Sequence, residues 1–208
     1  MVGGGAAVGM DNSKKDDEGL SLRAEAVAGA GRGALIVSMF GAGWLGWGLG
    51  LVGAFNVVSG SVFGFVALFL WVCSIYTIRK GRLLAKQYPS VPAAIRRAVI
   101  RSFLLIVLIE VLVIALGFLL ANWIHHPELG VVWCAMVVGL HFVPLAKIFR
   151  APTLRVFGIL IAIWSAVCWA LFRSNALVIA TTTGTGILLW GTAVSSLLRA
   201  RSMAQSLS

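Results

Sequence analysis

The stretch "FGAGWLGWGLGLVG", Phe40 to Gly53, decides how the chain is read. Gly41-Ala-Gly43-Trp-Leu-Gly46 matches the G-x-G-x-x-G dinucleotide fingerprint letter by letter, and the apolar run before it, "ALIVSMF", passes for a strand. A dinucleotide site also needs an acidic residue about 20 positions further on to hold the ribose hydroxyl. After Glu25 the next Asp or Glu is Glu110, and the residues after Gly46 are as apolar as those before it. The acid and the soluble context are both missing, so the segment reads as a membrane helix. There, glycines let a neighbouring backbone come close. Ala42, Gly46, Gly50 and Gly53 or Ala54 fall on one face by steps of three and four, with Trp44 and Trp47 on another.

Composition extends this reading to the whole chain. Of 208 residues, 60% are hydrophobic and 12% charged, with a mean hydropathy of +0.97. That much apolar surface cannot be hidden in a soluble core of this size. Runs of about 20 uncharged residues, the length that crosses a hydrocarbon layer of roughly 30 Å, occur at about 34–53, 57–78, 99–121, 129–149, 154–172 and 176–198. The expected fold is all-α, a polytopic bundle of six transmembrane helices (34–198), with a disordered N-terminal tail (1–33) and a short C-terminal tail (199–208).

Lys and Arg fix the expected orientation, because cytoplasmic connections are enriched in them. One side of the six-span arrangement carries 16 of the 17, and the opposite side holds only Arg173. Both termini are therefore expected in the cytoplasm, in a cell membrane of bacterial inner-membrane type. The same asymmetry explains the net charge of +10 without nucleic acid, which is not an expected partner. The lipid bilayer is, and the 79–97 connection is basic enough to lie against anionic headgroups, with Pro92 in the first turn of the following helix.

Glu110 stands in the middle of "SFLLIVLIEVLVIALGFLLA" with no other charge within eight residues. An ionised carboxylate at that depth costs several kcal/mol, so it must be protonated, paired or turned to water, and ionisable residues so placed mark function. His141 is the natural partner. The third and fourth spans form a hairpin around "NWIHHPELG", and positions 110 and 141 are equally far from its centre, each on the order of 18 Å below the turn. Pro144 nearby removes a backbone donor.

In the sixth span Ala180, Gly184, Gly191 and Ser195 make a small-residue ridge, beside Thr181, Thr185, Thr192 and Ser196. The hydroxyls are expected to bond to the preceding turn or to line a polar path. The small-residue ridges also offer contact surfaces to a second copy or to a partner membrane protein. "HHPE", His125 to Glu128, lacks a third ligand at a zinc spacing. Cys73, Cys134 and Cys168 fall inside spans, so no metal or cofactor is expected. No catalytic constellation is recognisable, which weighs against an enzyme.

"GLHFVPLAKIF", Gly139 to Phe149, resembles a pattern of uncharacterised small multi-pass bacterial membrane proteins. The resemblance covers this stretch alone and implies no activity. It marks Gly139, His141, Pro144 and Lys147 as first targets for mutation. Two functions compete: movement of a small solute or ion, proton-linked, along Glu110, His141, Thr181 and Thr185; or a non-transporting scaffold or accessory subunit that binds partner helices.

Overall fold

The computed structural model describes residues 5–54, 56–87, 93–149 and 151–207, with side chains from Gly19 onward except Ile95. Six helices account for nearly all of it: α1 (Gly5–Leu51), α2 (Val57–Ala85), α3 (Ala93–Trp123), α4 (Pro127–Ile148), α5 (Pro152–Leu171) and α6 (Ser174–Gln205). All six are long and apolar enough to cross a membrane, consistent with a multi-pass membrane protein. Pro92 lies outside the described residues.

Local chemistry sets the helix ends. Asn56 caps α2 by accepting from the backbone of Val58 and Ser59, while the Ser59 hydroxyl accepts from the Asn56 backbone in return. Pro127 and Pro152 open α4 and α5, where a missing N–H costs nothing. Pro144 sits inside α4 on its exposed side, and the helix continues to Ile148.

Helix α6 touches α1, α2, α4 and α5; α1 also lies on α2, and α4 lies on both α5 and α3. Among the described residues, the backbone of α3 approaches α4 alone. In lipid, helices gain little by hiding apolar surface from one another, so packing must come from close approach and hydrogen bonds. The same device meets that need at three interfaces. The indole N–H of Trp190 donates to Ser38 O at 3.1 Å, Trp133 to Val113 O at 2.8 Å and Trp164 to Ala180 O at 3.0 Å. Each ring lies where a glycine has opened the facing helix: a side chain on Gly41 would meet Trp190, one on Gly117 would meet Trp133, and one on Gly184 would meet Trp164. Between α4 and α5, Gly139 and Gly158 instead bring backbone against backbone.

Helix α1 runs from Gly5 to Leu51, so residues 5–33 and the first apolar span share one helix. Ser21, Ala24, Ala28, Gly31, Ala34, Ser38 and Gly41 are buried at steps of three and four, so one stripe of small residues runs from the tail into the span. Along it Val27 packs with Ala200, Ala204, Leu84 and Met203, and Gly81 lies directly on Ala28. In the glycine-rich stretch Gly50 is exposed and Gly46 half-buried. Gly41 and Gly48 lie against α6, the latter on Thr182 and Thr183. Of the α6 glycines, Gly184 takes Trp164 and Gly191 takes Phe157, both from α5.

Replacing Gly184 or Gly158 by alanine should cost roughly 1–3 kcal/mol, the usual penalty of overpacking. Gly33→Ala, where an added methyl meets nothing within 4 Å, should be neutral or stabilising by up to about 1 kcal/mol. Thermal unfolding in detergent separates the two, and equal melting temperatures for all three variants would contradict the notch geometry.

Candidate functional site

Glu110 lies 14 residues from Arg96 and 13 from Trp123 in the apolar part of α3 (110 − 96 and 123 − 110), so it sits roughly 20 Å from either end. His141 is 14 residues into α4 (141 − 127). The antiparallel hairpin brings them to one depth, with His141 Nδ1 3.1 Å from Glu110 Oε2. Both side chains are nearly sealed, 9% exposed for His141 and 17% for Glu110. The contact has hydrogen-bond length without the alignment of a linear hydrogen bond. In sequence, Glu110 is the one charged residue between Arg101 and Glu128, and none lies between Glu128 and Lys147. The surroundings are apolar or soft: the Phe142 ring is 6.0 Å from the imidazole, and Cys134, two turns earlier on the same side of α4, lies near the carboxylate. A carboxyl and an imidazole so placed can exchange a proton along one short contact, and either can hold it.

The other two expected path residues lie elsewhere. Thr181 and Thr185 are 0% exposed on α6, a helix whose backbone does not approach α3. Helix α4 stands between them and Glu110. His141 faces α3, whereas Gly139, two residues and about 200° around the helix, lies on Gly158 of α5. The four residues therefore belong to two interfaces rather than one lining. The threonines also differ among themselves. Thr182 and Thr192 donate back to Val178 O and Leu188 O at 2.8 Å, whereas the hydroxyls of Thr181 and Thr185 have no hydrogen-bond partner of ordinary geometry.

Sequence reading missed a shallow pocket of about 360 Å³ at the end of the bundle opposite the basic clusters, lined by His126, Glu128, Leu129, Trp169, Arg173 and Leu177 among others. His126 Nδ1 is 3.0 Å from Glu128 Oε1. Arg173 Nη1 donates to Trp169 O at 2.7 Å and Phe172 O at 2.8 Å, closing the end of α5. The turns beside the pocket hold His125 (φ 58°) and Ser174 (φ 50°), which are non-glycine residues in left-handed conformation. Only the isolated Arg173 and the "HHPE" turn hinted at it. Among the described residues, no three His, Cys, Asp or Glu side chains converge as metal ligands would.

No family model, curated protein or solved structure matches this chain.

If Glu110 and His141 act on each other, their mutations will not be additive. Glu110→Gln, His141→Ala and the double variant should give a coupling of about 0.5–3 kcal/mol in an unfolding cycle. Additive losses would mean that the contact carries no energy.

Proposed function

We propose that this chain crosses its membrane six times, basic end in the cytoplasm, and moves a small solute or ion with proton coupling through Glu110 and His141. The observation that carries this reading is the 3.1 Å contact between two ionisable side chains at mid-span. A lone carboxylate there would be a liability of several kcal/mol. Beside an imidazole it becomes a proton site whose occupancy changes the charge between α3 and α4, and among the described residues α3 has no other backbone neighbour to hold it. Proton uptake therefore acts on the least anchored helix of the bundle. The Gly139–Phe149 resemblance supports a bacterial cytoplasmic membrane as the setting.

A second reading rests on α3 as well. Leu104, Leu108, Leu112 and Leu119 are each more than half exposed along it, as suits a helix that meets lipid or a partner helix. On this reading the chain is a non-transporting scaffold or accessory subunit, and the Glu110–His141 contact is glue within the hairpin.

Purified protein in sealed vesicles, assayed for proton and solute flux with and without a pH gradient, tests the first reading. Glu110→Gln should reduce gradient-driven flux at least tenfold, while His141→Gln should alter its pH dependence. Flux unchanged in Glu110→Gln across a broad solute panel would remove the pair from the mechanism and leave the scaffold reading.

A further inference from the structure

Leu177, Thr181, Thr185 and Leu189 follow one another at four-residue steps on α6, and none is more than 2% exposed. The two ends of this row belong to different apolar clusters. Leu177 packs with Val132 and Cys168, flanked by Leu129, Trp164 and Phe172. Leu189 packs with Phe142, Leu145 and Ile161. On α5 the facing row repeats the order: Cys168 in the first cluster, Ile161 in the second, and between them Ser165, all 0% exposed. Two apolar plugs thus bracket a layer of hydroxyls, and the shallow pocket, which shares Leu129 and Leu177, opens directly above the first plug.

The hydroxyls of this layer are not used up. Ser165 donates back to Ile161 O at 2.8 Å and keeps its acceptor lone pairs. Thr181 and Thr185 lack a hydrogen-bond partner of ordinary geometry, the weakly bonding Cys168 thiol lying beside Thr181. Back-bonding to the preceding turn is the ordinary resort of a threonine in an apolar helix, and Thr182 and Thr192 of the same helix take it. The Thr181 and Thr185 hydroxyls are instead fully buried, Thr181 beside the Cys168 thiol and Thr185 without a partner of ordinary geometry, and buried polar groups left without partners are rare and costly. The side chains lining the layer carry no charge, so an ion would find no counter-charge there, whereas a neutral hydrogen-bonding molecule would recover both hydroxyls.

We propose that the α5–α6 hydroxyl layer of Thr181, Thr185 and Ser165, closed by the Leu177 and Leu189 clusters, is the binding site for a small neutral hydrogen-bonding solute. The inference rests on the transport reading and names its substrate class. It also separates the solute from the proton, because the solute sits between α5 and α6 while the proton site lies between α3 and α4. Admission would come through the pocket by displacement of Leu177, and release toward the basic end by displacement of Leu189.

The test uses the full chain in sealed vesicles, with formamide, urea and glycerol as neutral probes and Na⁺, K⁺ and Cl⁻ as charged ones. Light scattering should show neutral-probe equilibration faster than in protein-free vesicles. The Thr181→Val/Thr185→Val double variant, close to isosteric, should lose at least tenfold of the protein-dependent rate, whereas Thr181→Ser/Thr185→Ser keeps most of it. Occupancy is read separately from flux as slower modification of Cys168 by methyl methanethiosulfonate in Cys73→Ala/Cys134→Ala protein. Formamide or urea should slow that reaction several-fold when the threonines are present and not when they are valines. Valine variants that match wild type in both readouts, or a protein that passes ions and no neutral probe, would overturn the proposal. Neutral passage without any proton dependence would overturn the role of Glu110 and leave the hydroxyl layer standing.

Discussion

A tryptophan seated in a glycine notch, its indole N–H bonded to a carbonyl of the opposing helix, is the contact on which this bundle depends. Within hydrocarbon the usual reason for helices to associate is absent, and specificity must come from close fit and directed polar contacts. Trp190 of α6 against α1, Trp133 of α4 against α3 and Trp164 of α5 against α6 each supply both at once. The carbonyl already serves its own helix and lends a second lone pair. The glycine lies three or four residues after that carbonyl, so the ring fills the space that the missing side chain leaves. Three of the bundle's interfaces are registered this way, and a fourth is registered by Gly139 against Gly158.

With register fixed, the polar features fall where they do as a consequence. The Trp133 contact aligns α3 with α4 two turns from His141, and the antiparallel course then brings position 110 opposite. The Trp164 contact sets α5 against α6 beside Thr181, so Cys168, Ser165 and Ile161 run along Leu177 to Leu189. Helix α4 presents the imidazole on one side and Gly139, flush against α5, on another. It therefore stands between a titratable interface and an uncharged one while contributing to both.

Much of this could be read from residue order. The six helices follow from charge-free runs, and the shared depth of Glu110 and His141 follows from hairpin symmetry, since antiparallel helices with a three-residue turn leave little freedom in register. Small residues are the hardest to place from order alone. Gly46 and Gly50 satisfy the small-x-x-x-small spacing, and Gly41 and Gly48, which do not share it, lie against α6; spacing identifies parallel ridges without saying which one meets a neighbour. The N-terminal segment, rich in Gly, Ala and charge, has the composition of a solvated tail. Its stripe from Ser21 to Gly41 has the period of a packed helix, and period outweighs composition when the partners are themselves small, as Gly81, Ala200 and Ala204 are. The division between Glu110 and the threonines was not legible at all: it depends on which helices are neighbours, and no local pattern encodes that.

The extension of α1 past its apolar stretch carries a consequence for assembly. Val27 is made well before Ala200 and Ala204, which share its cluster, and Met203, which packs against it, and all three are far from it in sequence. Contacts of such high sequence separation close late. Until α6 is in place, the first helix presents a small-residue groove partly covered by α2, open to whichever helix arrives. The bundle is thus clasped rather than stacked: its first helix is secured by its sixth, and the intervening four must wait in a half-built array for the clasp to shut.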